Sequence, residues 1–270
     1  MNILREKIEN LGLTEPIGIL VQPEETIRFL EFLPDLEWHQ AYVSLLIVRS
    51  SGLKEKYGFK GSDHVLSIKV IPGSVEDPKF RLYLNLRRLC LLADHSQELY
   101  SYRHKNTVFM IPKNVVAVMI SPNPADWVRA SIDTITEFLN GMRESIVGSI
   151  QLRRLDVRLG ANCMRRFRHV FHMIDIDDPT LVPEILEKVQ EILGYIPARI
   201  FTRRGIHLLI KVSSFNKNQA KKWFLTIPDF VKSLNTSEEK TLVEYKTNFL
   251  DPLPGSVYKG IVPVFKEPEG

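Results

Sequence analysis

RHVFHMIDID, residues 168–177, is the stretch whose reading decides the fold. It is a strand candidate that ends in acids. Alternation along an extended chain sends Ile174 and Ile176 to one side and Asp175 and Asp177 to the other. Capping of the following helix is the plain structural reading of Asp177 and Asp178, and it accounts well for Asp178. It does not explain Asp175, which stands mid-strand between isoleucines.

Outward from this strand the pattern changes period. Thr180 to Leu193 reads as a helix with Val182, Ile185, Leu186, Val189, Ile192 and Leu193 on one stripe. Pro183 is tolerated in its first turn, and Gly194 supplies the stop. ARIFTRR (198–204) reads as a strand, Gly205 as a break, and IHLLIKV (206–212) as another strand. Asn216 to Leu225 predicts a short basic helix closed before Pro228, and TLVEYKT (241–247) a final strand. The order β-α-β-β-α-β is that of an RRM-like or ferredoxin-like unit: a four-stranded antiparallel sheet with helices on one face. Its first and third strands lie at the centre, and the fourth flanks the first. Ile206, Leu208, Ile210, Val243 and Tyr245 then face the helices. The open face gathers Asp175, Asp177, His207, Lys211, Glu244 and Lys246. Two carboxylates two residues apart on a strand can share divalent ions through hard oxygen ligands, as two-metal phosphoryl transfer requires.

Just before this unit the chain reads RRLDVRLGANCMRRFR, residues 153–168. Arg153, Arg154, Arg158, Arg165, Arg166 and Arg168 stand there against the single acid Asp156. They form either a solvated arginine-rich face or a rim that contacts nucleic-acid phosphates.

The first half, residues 1–150, reads as a mixed α/β module. AYVSLLIVRS (41–50) is a buried-strand pattern, and Pro78 to about Ala93 a helix. NTVFMIPKNVVAVMI (106–120) reads as strand, break at Pro112, strand. A further helix is expected with Asn123 as N-cap and Pro124 in its first position. Trp127, Val128, Ile132, Ile135 and Leu139 line one of its sides. No catalytic constellation stands out in this half.

Three motifs carry a resemblance. FHMIDIDD (171–178) resembles the paired-aspartate motif of archaeo-eukaryotic primases and primase-polymerases. TRRGIHLLI (202–210), with Gly205-Ile206-His207, is similar to their second motif. DPLPGSVYKG (251–260) is similar to the segment that follows their third, acidic motif. The resemblance covers about residues 165–265. It implies an α+β protein in which the N-terminal module (1–150) packs on an RRM-like catalytic module (151–270). It further implies a template-directed DNA primase or polymerase that takes NTP or dNTP and uses Mg²⁺ or Mn²⁺. Asp175 and Asp177 would hold the metals. His207 would contact the phosphates of the incoming nucleotide, with Arg203, Arg204 and Gly205 beside it and Lys211 and Lys246 as further nucleotide-binding candidates. The arginines of 153–168 would guide a single-stranded or primer–template DNA. The sequence departs from the family at Lys246, which stands where archaeal primases carry their third acid. Glu244, on the same strand face, is the favoured replacement as catalytic and metal-binding acid, and Asp251 the second candidate. The alternative is a non-catalytic primase-fold subunit or nucleic-acid-binding module. Replication or repair subunits are the protein partners that such a family suggests.

Composition is compatible with all of this. Hydrophobic residues make up 44% and charged residues 25% of 270, which excludes a disordered or fibrous chain. Net charge is +4 and the pI about 8.9, only mildly basic. Two cysteines, Cys90 and Cys163, cannot build a disulfide framework, and no apolar run is long enough for a membrane helix. MNILREKIENLG lacks the apolar core of a secretory signal, so a cytoplasmic protein without membrane partners is expected.

Overall fold

The computed structural model describes residues 3–50, 53–54, 63–104, 107–144, 155–203, 205–214, 217–234 and 242–269. In chain order its elements begin with α1 (Ile3–Asn10), α2 (Pro23–Phe32), β1 (Gln40–Val48), β2 (His64–Pro72), α3 (Pro78–Asp94) and α4 (Ser96–Leu99). The middle holds β3 (Ser101–His104), β4 (Thr107–Met110), β5 (Val116–Ile120), β6 (Ala125–Asp126), α5 (Trp127–Glu144) and α6 (Leu155–Arg165). Then come β7 (Phe171–Ile176), α7 (Val182–Leu193), β8 (Ala198–Phe201), β9 (Ile206–Lys211), α8 (Lys217–Leu234), β10 (Val243–Lys246), β11 (Asp251–Pro252) and β12 (Val264–Lys266). The protein is a mixed α+β structure built on antiparallel sheets. Among the described residues no helix is long and apolar enough to cross a membrane.

The first sheet runs β11-β5-β1-β2, with β6 also pairing to β1. QAYVSLLIV in β1 is buried at every position because both faces of this central strand are covered. Tyr42, Leu46 and Val48 pack toward α3, while Val43, Leu45 and Ile47 pack toward α5 and α6. The second sheet runs β10-β7-β9-β8-β12. The element order along its first four strands is β-α-β-β-α-β, and the strands with Asp175 and His207 lie side by side. One face, through Ile174, Ile176, Leu208, Ile210 and Val243, packs on Ile185 and Val189 of α7 and on Ile227 and Val231 of α8.

The other face is not the open surface expected from alternation. Phe171, Met173, Ile200, Leu209 and Phe265 join the same core as Phe29 and Leu30 of α2 and Leu86 of α3. Phe32 stacks at 5.1 Å between centroids on both Phe171 and Phe265. Only beyond Met173, toward Asp175, does the covering layer end.

Four local expectations change. Helix α5 starts at Trp127 rather than at Pro124. Asn123 is no cap: it is fully buried and clamps the second sheet to the first. Its Nδ2 donates to the carbonyls of Phe171 (2.9 Å) and Thr247 (3.1 Å), and its Oδ1 accepts from the Phe171 N–H at 2.7 Å. The α5 stripe also differs. Ile132, Ile135 and Leu139 are exposed, because the helix seats on its neighbours through Ala130 and Thr134, whose hydroxyl accepts from Asn162. Helix α8 runs through Pro228, since a proline removes one internal hydrogen bond while Ile227 and Val231 bury against the sheet. Finally, β10 is not the last strand. After it the chain crosses to the first sheet as β11, where Pro252 is accommodated because that strand lies at the edge, and returns to the second as β12.

Candidate functional site

The site forms where the layer that covers this face of the second sheet ends. The register of β7 against β9 sets Asp175 directly opposite His207, and that of β7 against β10 sets Asp175 opposite Glu244. Asp175 Oδ1 lies 3.2 Å from His207 Nε2, and its Oδ2 lies 2.6 Å from Lys246 Nζ. Lys246 Nζ is also 2.5 Å from Glu244 Oε2. On its other side His207 Nδ1 pairs with Asp251 Oδ1 at 2.6 Å. Asp251 is fully buried, and its Oδ2 has no hydrogen-bond partner among the described residues.

The charges follow from these contacts. Burial by itself would raise the Asp175 carboxyl, but His207 and Lys246 outweigh it and hold the group well below the usual carboxylate range. Burial would lower His207, yet its bonds to Asp175 and Asp251 win and push it up to about 10, so the ring is an imidazolium at neutral pH. Burial likewise opposes the charge on Lys246, and Asp175 and Glu244 overcome it and raise the ammonium. Asp251 is raised, chiefly by its complete burial.

Asp175, His207 and Lys246 sit at one wall of a cleft of about 470 Å³, with Asp251 buried behind His207. Asp177, exposed and with no side-chain partner among the described residues, stands at the same cleft, as do Arg203, Arg49, Tyr258 and Lys259. Arg203 donates to the Lys259 carbonyl at 3.5 Å. Arg49 pairs with Asp63 at 3.0 Å and leaves a buried Nε without a partner among the described residues. Asp178 is the acid that caps: its Oδ1 accepts from the Thr180 N–H (2.9 Å) and hydroxyl (2.8 Å). Gly205 stands there for steric reasons. A Cβ at that position would lie 1.6 Å from the Ile176 carbonyl oxygen, so only glycine lets β9 start against the end of β7.

The site therefore brings together Asp175, Asp177, His207, Glu244, Lys246, Asp251 and Arg203. Asp251 arrives by the crossover to β11, and Glu244 is tied to Lys246. Lys211 is not part of it. It pairs with Phe171, four residues along β9 from His207, or roughly 13 Å away. Arg204, Arg153 and Arg154 lie outside the described residues. The remaining arginines lie at the opposite end of β7. Arg166 forms a two-pronged pair with Asp133 (2.9 and 3.3 Å), Arg165 approaches Glu137 at 3.5 Å, and Arg168 reaches His39 at 2.6 Å. Arg158 is half-buried on α6. Sequence reading missed Arg49 and Lys259. The second lies in the quoted DPLPGSVYKG segment, whereas nothing in the local pattern marked Arg49, which only tertiary packing brings to the cleft.

Asp175 on β7 and Asp177 just past its end offer carboxylate oxygens at one cleft, the hard donors that Mg²⁺ or Mn²⁺ takes. Such ions are commonly held by one or two carboxylates, with waters and substrate phosphates completing the shell, so the donor set fits. Among the described residues no three acidic, imidazole or thiol groups converge as a self-sufficient metal cage. No family model, curated protein or solved structure matches the chain.

Proposed function

We propose that the protein is a metal-dependent nucleotidyltransferase of the primase-polymerase type, built on an RRM-like module. The observation that carries this reading is the meeting of Asp175, Asp177 and His207 at one cleft that also presents Arg49, Arg203, Lys246 and Lys259. The strand order β10-β7-β9-β8 supports the RRM-like assignment, because it sets the unit's first and third strands side by side with the fourth flanking the first.

A nucleoside triphosphate carries the charge that these cations neutralise. Asp175 and Asp177 would hold Mg²⁺ or Mn²⁺, which supplies charge neutralisation at the phosphates and a lower pKa at the attacking hydroxyl. His207 exchanges its contact with Asp175 for a phosphate oxygen, while Asp251 keeps the ring oriented from behind. Arg203 and Lys259 take the outer phosphates. The strand-terminal hydroxyl forms a bond to the α-phosphorus, the bond to the β-phosphate oxygen breaks, pyrophosphate leaves, and the hydroxyl proton passes to water. The exposed guanidinium groups of Arg165 and Arg168 would meet template phosphates at the far end of β7.

Incorporation of labelled NTP or dNTP on a DNA template, primed and unprimed, tests the reading. Wild type should incorporate, and Asp177→Ala should lose at least about a hundredfold in rate. An unchanged rate would overturn it. One observation favours a second reading, a non-catalytic nucleotide- or nucleic-acid-binding subunit: Lys246 lies between Asp175 and Glu244. That reading predicts binding without incorporation.

A further inference from the structure

We infer that Lys246 is a built-in cation standing in for a second divalent ion, so that the centre takes one Mg²⁺ or Mn²⁺ and not two. This rests on the metal-dependent reading above and specifies it.

Glu244 is paired in register with Asp175, and Lys246, two residues on, shares their strand face. The ammonium is within 2.6 Å of Asp175 Oδ2 and 2.5 Å of Glu244 Oε2. It therefore fills the space between these two carboxylates. A two-ion centre needs its ions about 3.5–4 Å apart, clamped on shared oxygens. Asp175 is the carboxylate with neighbours on both sides, and its outer oxygen is already taken. A second ion placed there would face the ammonium at a few ångströms in a half-buried site, where like charges repel strongly.

The charge count agrees. Asp175, Asp177 and Glu244 supply three negative charges and Lys246 one positive charge, while His207 and Asp251 form a pair of their own. One divalent ion cancels the remainder, and two would leave the cluster strongly positive before any phosphate arrived.

The experiment is a Mn²⁺ titration of the full chain without nucleotide, with free Mn²⁺ read by electron paramagnetic resonance. Wild type should bind one ion, lost in Asp177→Ala. Lys246→Gln should bind that ion about tenfold more tightly, because a neighbouring positive charge is gone. Lys246→Asp should bind two. Two ions in wild type, or an affinity unmoved by Lys246→Gln, would overturn the inference while leaving the metal reading intact. No Mn²⁺ binding, or binding indifferent to Asp177→Ala, would instead remove the metal reading and the inference with it. Circular dichroism checks each fold. If Lys246→Asp does not fold, the near-isosteric Lys246→Gln decides alone.

Discussion

The two sheets differ in how far each is covered, and the candidate site lies on that difference. In the first sheet β1 is sandwiched along its whole length and carries no charged side chain. In the second, β7 is equally buried from Phe171 to Ile174, between the α7–α8 layer and the α2 layer, and His172 there is neutral. Charge enters at Asp175, where one covering layer stops. A charged group deeper between the layers would lose its hydration, at a cost of several kcal/mol even when paired. At the margin it keeps partial solvent contact and can be held by cations from neighbouring strands. The first sheet contributes to the site, since it brings Asp251 on β11 against the back of His207 and Arg49 from the end of β1 to the cleft.

The contrast can be broken inside the second sheet and at the seam between the two sheets. Gly205→Ala should have the largest effect on stability. The new Cβ meets backbone, not a yielding side chain, so β7 and β9 must separate at the Asp177 end. A loss of about 3 kcal/mol in urea unfolding is expected, and the Mn²⁺ binding proposed above should go with it. Wild-type stability would mean that the close approach relaxes freely. Asn123→Ala should cost about 2–3 kcal/mol, since it strips a buried clamp between the sheets and leaves the Phe171 and Thr247 groups short of partners. A cost below about 1 kcal/mol would show the sheets to be held by apolar packing alone.

Removing an acid from the site separates the two regions differently. Asp175 holds both Lys246 and His207, so Asp175→Ala leaves two cations facing one another and should lower stability by roughly 1–3 kcal/mol. Exposed Asp177→Ala should leave the unfolding midpoint unchanged. Equal effects would place the two acids in equivalent surroundings, against the structure.

A pH-dependent effect concerns His172, on the helix-facing side of β7. Burial first, and His169 second, lower it to about 4, so it is neutral in the fold, where it pairs with the Tyr245 hydroxyl. The unfolded chain binds a proton there below about pH 6.5, and the folded one only near pH 4. Stability from this group is therefore present above pH 6.5 and lost as pH falls through that window, by roughly 1–2 kcal/mol. Comparing wild type with His172→Gln in urea at pH 7 and pH 4.5 isolates it. Parallel losses would exclude His172 as the cause.

Much of this was legible in local pattern. The alternation of β7, β9 and β10 set Asp175, Asp177, His207, Glu244 and Lys246 on one face, because side chains in a strand must alternate. The 3.6-residue stripe and Gly194 defined α7, because only one side of that helix is buried. Other features had no local signal. Asn123 looks like a cap because its side chain suits caps and clamps alike, and only the neighbouring sheet decides which donors it finds. Asp251 lies five residues past the end of β10, and its arrival beside His207 depends on the crossover to the first sheet. Lys246 stood out in the sequence as a departure from the acidic motif and as a nucleotide-binding candidate, but only strand pairing set it between two carboxylates. Periodicity is a property of a single chain segment, so sequence alone determined which side chains share a face. The partner of each charge depends on contacts between segments far apart in the chain, and those only the tertiary structure decided.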